Sequence, residues 1–244
     1  MPNPNPQSSV AEAAARLAAV RAKRGYLLPH HGLLAVAAPD LLSGYDATYT
    51  ALTLVPRYMS QHDKEFVWLS VLVATEEAIA THHIAKFRNA GGTDKTAELA
   101  FSLSGFAAGA SAYAFVADHW SEHLPAFDRE RAYRNNLSKL TAGEPISPAL
   151  IEMTLAAVHT CRRAWNELAW HIQGAYAVGA DEFQLAEALS SAMFPGSIPN
   201  FVEACRVWLE LIRSGAVAAS PAFQAWADVE GQGGFDEASA IRKP

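Results

Sequence analysis

One segment of this sequence occurs twice, and the two copies lie 88 positions apart. Each copy places a histidine, His83 and then His171, eight positions before a glycine, Gly91 and then Gly179. A glutamate precedes each histidine at a spacing that puts both side chains on one face of a helix. Because polar side chains are costly to bury, a polar pair set twice into apolar helices constrains both the fold and the function.

The apolar residues around each copy recur at the three-and-four spacing of an amphipathic helix. The pattern extends from Asp63 to about Ala90 in the first copy and from Pro148 to about Val178 in the second. We therefore predict two long helices in which the glutamate and the histidine of each copy lie in the apolar stripe. Gly91 and Gly179 are the expected stop signals, because glycine readily adopts the left-handed conformation at helix ends.

The remainder of the chain is predicted to be helical too, because no convincing run of alternating apolar and polar residues indicates a strand. Shorter helices are predicted at 10–24, 40–54, 95–103, 105–119, 128–140, 182–193 and 200–213, with a loop at 27–32. The predicted fold class is all-α, with two pseudo-repeats in tandem. The predicted segments are a disordered arm at 1–9, a helical lead-in at 10–56, a first unit at 57–120, a linker with one helix at 121–147, a second unit at 148–214 and a tail at 215–244.

Composition limits the partners and the compartment. The chain has 244 residues, a net charge of −6 and no Lys/Arg run longer than two, which argues against nucleic acid because phosphate binding needs a clustered basic face. Two cysteines without CxxC spacing argue against a disulfide scaffold. We expect no signal peptide, no membrane-spanning helix and a cytoplasmic location, because the first residues lack an apolar core and no run of 18 uncharged apolar residues occurs.

The repeated histidine-to-glycine spacing and the run from Asp63 to Trp68 resemble the carboxymuconolactone decarboxylase family, which includes the alkylhydroperoxidase D-like proteins. The resemblance covers about 57–115 and 146–212, so the chain looks like two such units fused. His83 and His171 match the family's histidine. The resemblance implies tandem alkylhydroperoxidase D-like helical units, a small-molecule substrate and a homo-oligomer, because single units of the family assemble as trimers or hexamers.

The sequence departs from the peroxidase branch of that family. That branch needs a CxxC motif ending four residues before the histidine, and those positions hold Glu76 and Ile79 in the first unit and Ala164 and Glu167 in the second. Dithiol reduction of peroxide is therefore excluded at these positions, because the thiolate is the nucleophile. The decarboxylase branch lacks the cysteines and works by acid–base chemistry, and this chain resembles it more closely.

The peroxidase branch also carries a glutamate 12 residues before the first cysteine position. In the second unit this position is Glu152. In the first unit it is Lys64, and Glu65 is adjacent, so a shift of one residue would restore the glutamate.

A carboxylate and an imidazole in an apolar stripe can move a proton to and from a carbon next to a carbonyl. We expect burial to raise the pKa of the carboxylates and the neighbouring charge to raise the pKa of the histidines. The predicted function is a carboxymuconolactone decarboxylase-like lyase or isomerase that acts without a cofactor on a small carboxylated lactone or oxo acid. The candidate catalytic residues are His83, Glu76, Glu77, His82, His171 and Glu167, of which Glu167 and His171 are spaced to pair directly.

Several alternatives remain open on the sequence alone. Each Glu–His set is also consistent with a structural ion pair. A divalent metal at Glu76 and His83 is a second possibility, although no recognised metal motif is present. A peroxidase-like oxidoreductase that uses Cys161 is a third, and a non-catalytic oligomeric binding module is a fourth. Arg162 and Arg163 fit either a solvated pair or a site for a substrate carboxylate.

Overall fold

The computed structural model describes residues 9–234 and residue 237, so positions 1–8 of the predicted arm and most of the final ten positions of the predicted tail lie outside the described residues. The described part of the chain is helical and contains no strand, which confirms the all-α fold class. The chain divides into two compact units, Met1–Pro56 and Arg57–Pro244.

The first unit is a small helical cluster. Its helices are α1 (Val10–Arg24), α2 (Pro29–Ala37) and α3 (Pro39–Tyr49), and a π-helical turn at Thr50–Leu54 continues α3. Ser9 caps α1, and Glu12 completes a reciprocal capping box with it. The predicted loop at 27–32 is wrong, because Pro29 begins α2 as the first helical residue, where its missing N–H has no cost.

The second unit contains the repeated segment. Its helices in chain order are α4 (Gln61–Ala74), α5 (His82–Asn89), α6 (Asp94–Ala108), α7 (Ala110–Trp120), α8 (Arg129–Thr141), α9 (Pro148–Arg162), α10 (Trp165–Ala177), α11 (Glu182–Ser190), α12 (Ile198–Arg213) and α13 (Pro221–Ala227). Several differ from the predicted bounds by a few residues. For example, α4 and α12 begin two residues before the predicted starts at 63 and 200, and Ser60 and Ser197 cap them.

Helices α4 and α9 form the centre of this unit. Residues 64–72 of α4 and residues 153–160 of α9 are all buried, so these helices are enclosed on every side. Helices buried all round carry apolar residues on more than one face, which explains why neither has a narrow stripe. Their few polar side chains must therefore find partners inside the core.

The prediction of two long helices is wrong, because each is broken after its first half. Helix α4 ends at Ala74, and Glu76 then adopts a positive φ of 56°. Helix α9 ends at Arg162, and Arg163 adopts a positive φ of 59°. At each break the N–H that follows the left-handed residue bonds a carbonyl five residues back, at 2.9 Å and 3.1 Å respectively. This helix ending usually uses glycine, so the sequence carries no visible stop signal at either place.

The second half of each segment ends as predicted. Gly91 and Gly179 have positive φ values of 89° and 71°, directly after α5 and α10. Helix bounds also recur at an offset of 88: Ala74 and Arg162 end α4 and α9, Asn89 and Ala177 end α5 and α10, and Asp94 and Glu182 begin α6 and α11. The two histidines lie in the helix that follows each break, eight residues before its glycine: His83 is the second residue of α5 and His171 is the seventh residue of α10.

Helices α6 and α7 continue each other through Gly109 as an apolar stretch, Asp94–Trp120. Of the described residues, this stretch of 27 is the one with the length and composition of a membrane-crossing helix. Leu99 and Leu103 of α6 are buried in the core of the unit, whereas Phe115 of α7 is half exposed.

Candidate functional site

The first candidate site is a buried pair formed by His83 of α5 and Glu65 of α4. Nδ1 of His83 lies 2.6 Å from Oε2 of Glu65, and both side chains are buried. The other carboxylate oxygen of Glu65 accepts a hydrogen bond of 2.6 Å from Gln61. The imidazole stacks on Trp68, with ring centroids 4.5 Å apart and planes 21° apart. The ring is therefore fixed by a carboxylate at its edge and by an indole on its face.

The charge state of His83 makes it suitable as a proton acceptor. Burial lowers its pKa, and Glu65 opposes this effect without overcoming it. The prediction of a raised histidine pKa is therefore wrong, because it omitted the cost of burying an imidazolium. The neutral ring donates Nδ1–H to Glu65, so the lone pair is on Nε2. The described residues place no hydrogen-bond partner on Nε2.

Three of the predicted catalytic residues do not join this pair. Glu76 and Glu77 are exposed in the break between α4 and α5, which contradicts the prediction that Glu76 shares the buried stripe with His83. They line a cleft of about 420 Å³ whose other walls are mostly apolar. His82 is half-buried, and its ring centroid lies 4.4 Å from that of His83.

The second candidate site has the same Glu–His core, and both nitrogens of its imidazole have partners. Nδ1 of His171 lies 2.6 Å from Oε2 of Glu152, and Arg134 binds both oxygens of that carboxylate at 2.7 and 2.8 Å. The hydroxyl of Tyr133 lies 2.8 Å from Nε2 of His171 and 2.9 Å from Nε2 of His159. The two imidazoles stack with centroids 5.3 Å apart and planes 12° apart.

The hydrogen bonds fix the tautomers in this chain of groups. Because His171 donates Nδ1–H to Glu152, its Nε2 accepts the proton of the Tyr133 hydroxyl. The phenol oxygen then accepts Nε2–H from His159, which leaves the lone pair of His159 on Nδ1. That nitrogen is buried and has no hydrogen-bond partner among the described residues. This series of hydrogen bonds between neutral groups therefore ends at Nδ1 of His159, a buried acceptor to which no described residue donates.

Burial determines the charge states in the second site as well. It lowers the pKa of His171, which Glu152 only partly opposes, and it places the pKa of His159 well below the usual range. Burial also acts to raise the pKa of Glu152, but His171 and Arg134 outweigh it and leave that pKa lowered. The two partners that face this carboxylate therefore outweigh the effect of its burial.

Glu167 and His171 do not pair, although they are four residues apart on α10. The Glu167 carboxylate instead binds the guanidinium of Arg129 on α8, which also lies over the ring of Trp170 at 5.2 Å. Arg129 and Glu167 lie one helical turn from Tyr133 and His171 on the same two helices. They also line a cleft of about 410 Å³ that opens at the break between α9 and α10.

Sequence reasoning missed Tyr133 and His159 as members of the second site. Tyr133 lies in the predicted linker, where no periodic signal drew attention to it, and His159 is a lone histidine in an apolar helix. The resemblance did point to Glu152, and its one-residue shift pointed to Glu65. Helix α9 puts Glu152 and His159 seven positions apart on one face, which is the one local signal that could have linked them.

The metal and thiol alternatives find no support in the described residues. No group of three or more His, Cys, Asp or Glu side chains in that part of the chain is placed to hold a metal ion. Cys161 and Cys205 are free, and burial raises the pKa of Cys161 to about 12 and that of Cys205 to about 11. A thiol with so high a pKa is protonated at neutral pH and is a poor nucleophile.

The buried histidines predict that acid destabilises the protein. The pKa values of His83, His159 and His171 lie below the ordinary 6.5, so the unfolded chain binds more protons than the folded one below that pH. The free energy of unfolding should therefore fall as the pH drops below about 6.5, by up to about 1.4 kcal/mol per unit for each group. Urea titrations between pH 7.5 and 5 measure this. Replacing the exposed His123 with Asn should leave the slope unchanged, and a flat profile would contradict the assignment.

Comparison with known proteins gives no assignment. No known protein family, no curated protein and no solved structure matches this chain.

Proposed function

We propose that the protein is a lyase or isomerase that needs no cofactor and moves a proton on a small carboxylated lactone or oxo acid. The observation that carries this proposal is the His83–Glu65 pair, in which a buried neutral imidazole is held by a carboxylate and keeps one nitrogen open. A histidine with a carboxylate on its far nitrogen is a recurrent arrangement for general acid–base catalysis.

The proposed roles follow from the geometry. In an isomerisation, Nε2 of His83 removes a proton from a carbon next to a carbonyl and returns it to another atom of the same substrate. In a decarboxylation, the bond to the carboxylate breaks, carbon dioxide leaves, and the protonated Nε2 gives its proton to the carbanion that remains. Glu65 is a positioning residue that fixes the tautomer and stabilises the imidazolium formed during transfer. Trp68 fixes the ring plane by stacking.

A cleft beside α5 has room for a small ring, and His83 itself is buried behind its lining residues. The cleft of about 420 Å³ is lined by Ile84, which follows His83 in the chain, and by Leu72 and Phe101. Apolar walls of this kind suit the carbon skeleton of a lactone, and the volume falls within the range of small-molecule sites.

The corresponding places of the two pairs support the resemblance to tandem alkylhydroperoxidase D-like units. Glu65 and His83 are 18 positions apart, and Glu152 and His171 are 19 apart. We assign the chemistry to the first pair, because Tyr133 closes the second imidazole from its open side. A homo-oligomer in the cytoplasm remains part of the proposal, through the family resemblance.

A glutamine at position 65 tests the proposal. The purified chain, treated with a chelator, is assayed with carboxylated γ-lactones and 3-oxo acids for isomerisation or release of carbon dioxide. Glu65→Gln should lower kcat by about 10- to 100-fold, a part of the usual acid–base contribution, with little change in KM. It should also move the acid limb of the pH–rate profile to lower pH, because Glu65 acts to raise the pKa of His83.

The exposed Glu98 provides the matched control, since Glu98→Gln should leave both kcat and the profile unchanged. A purely structural Glu65 would change stability without moving the acid limb. That result, or equal turnover in both variants, would reject the role of the pair.

A further inference from the structure

The cleft at the break between α9 and α10 carries an excess of positive charge. Its charged lining consists of Arg129, Arg162 and Arg163 against the single carboxylate of Glu167, which gives a net charge of +2 in a chain whose total is −6. A cluster of cations in a concave site raises the local concentration of anions. The cleft therefore differs in chemistry from the apolar one beside His83.

The donors of these arginines are mostly unused. Arg162 makes one long contact of 3.4 Å to the carbonyl of Ala108, and neither Arg162 nor Arg163 forms an ion pair with a described residue. Glu203, the acidic group whose pKa Arg163 helps to lower, is bound mainly by Arg206. Guanidinium groups without partners present forked donors that match carboxylate geometry.

Arg129, which also lines the cleft, does not use all of its donors. One terminal nitrogen binds Glu167, while its Nε is buried and has no hydrogen-bond partner among the described residues. A buried N–H of a charged group without an acceptor is costly.

The start of α10 adds to the positive potential. This helix of 13 residues begins at the cleft, and its cap residue Ala164 offers no side-chain acceptor to the first N–H groups. Trp165 and Asn166 of the first turn both line the cleft. Unsatisfied N–H groups and the helix dipole favour a negative group at this position.

The opposite wall creates the space. It consists of Ala107 at the end of α6 and Ala110, Ser111 and Ala114 on α7, whose small side chains leave about 410 Å³ open. That volume holds a small organic molecule and no large ligand.

We infer that this cleft binds a small dicarboxylate, with one carboxylate on Arg162 and Arg163 at the start of α10 and the other facing Arg129. A ligand with two anionic groups balances the net charge of +2, which a monocarboxylate does not. The inference goes beyond the His83 chemistry, since it assigns a second binding site whose occupation does not require turnover.

Calorimetric titration of the full chain with succinate tests the inference. The wild type should bind succinate at least tenfold more tightly than acetate, because acetate leaves half of the charge unmatched. R162A/R163A should weaken succinate binding by at least tenfold, and thermal melting confirms that the variant is folded. Arg88→Ala removes an exposed arginine that is ion-paired with Asp94 on another surface, so it should bind succinate as the wild type does.

Glu167→Gln should change the affinity for succinate in the opposite direction from R162A/R163A. The substitution keeps the size of the side chain and removes the one negative charge of the cleft, so it should tighten succinate binding several-fold. Equal affinity for succinate in R162A/R163A and the wild type, or no binding by the wild type at 10 mM, would overturn the inference.

Two further measurements test the chemical class of the ligand and distinguish this site from the proposed function. Inorganic phosphate that binds more tightly than succinate would replace the dicarboxylate with a phosphoryl ligand and overturn the stated class. His83→Gly should lose turnover and keep succinate binding. Loss of succinate binding in R162A/R163A with no turnover in any variant would reject the proposed function and leave this site intact.

Discussion

Replacing His83 with glycine is expected to lower kcat/KM by about 10²- to 10⁴-fold, the usual contribution of one general acid–base group. The reason is that Nε2 of His83 is the nitrogen that no described residue occupies, on a ring kept neutral by burial. Added imidazole should restore part of the activity, because glycine leaves a cavity of the shape of the lost ring next to Glu65. The measurement is steady-state turnover with and without 50 mM imidazole.

Stability must be followed in the same experiment. The substitution leaves the carboxylate of Glu65 buried with Gln61 as its remaining partner, so the melting temperature should fall as well. Rescue by imidazole therefore separates chemistry from folding, because a misfolded chain would not regain turnover. His123→Asn, at an exposed histidine, is the matched control and should keep full activity. A folded His83→Gly variant with wild-type turnover would contradict the assignment.

The sequence was sufficient for the all-α class and for the glycine ends of the repeated segments. Gly91 and Gly179 carry a local signal, because a positive φ is easy for glycine alone. The breaks at Glu76 and Arg163 carry no such signal, because residues with side chains adopt the same left-handed conformation there. We attribute those breaks to the tertiary packing of α4 and α9, and a periodic pattern of apolar residues does not predict such packing.

The same limit explains the outcome at the candidate sites. The histidines could be selected because polar residues in apolar stripes are visible in the sequence, but their partners are set by helix crossings. Glu65 reaches His83 from the preceding helix, and Tyr133 reaches His171 from the predicted linker. A partner at helical spacing is only one choice. Glu167 has the spacing to pair with His171, but its carboxylate binds Arg129 instead.

The second large effect is expected at a buried ion pair between α4 and α11. Nζ of Lys64 on α4 lies 3.0 Å from Oε1 of Glu187 on α11, and both side chains are almost fully buried. The other oxygen of Glu187 accepts the backbone N–H groups of Tyr58 and Met59, each at 2.8 Å. The pair thus links α4, in the first copy of the repeated segment, to α11, the helix that follows the second copy.

Glu187→Ala should lower the free energy of unfolding by about 3–5 kcal/mol, because it removes a buried carboxylate that pairs with an ammonium and accepts hydrogen bonds from two backbone N–H groups. Glu187→Gln keeps an acceptor for the donors and removes only the charge, so it should cost less than Ala. Urea unfolding followed by circular dichroism measures both variants. Glu98→Gln is the exposed control and should change stability by less than about 0.5 kcal/mol.

The double variant Lys64→Met/Glu187→Gln distinguishes a net stabilising pair from a costly one. Removing both charges avoids the desolvation of each ion, and methionine fills nearly the volume of the lysine stem, so the double variant should be more stable than either single variant. A double variant close to the wild type would mean that the pair contributes little beyond its own burial cost, and that Glu187 is held chiefly as the acceptor for Tyr58 and Met59. A double variant whose loss equals the sum of the two single losses would show instead that Lys64 and Glu187 act independently, which would contradict an ion pair at 3.0 Å.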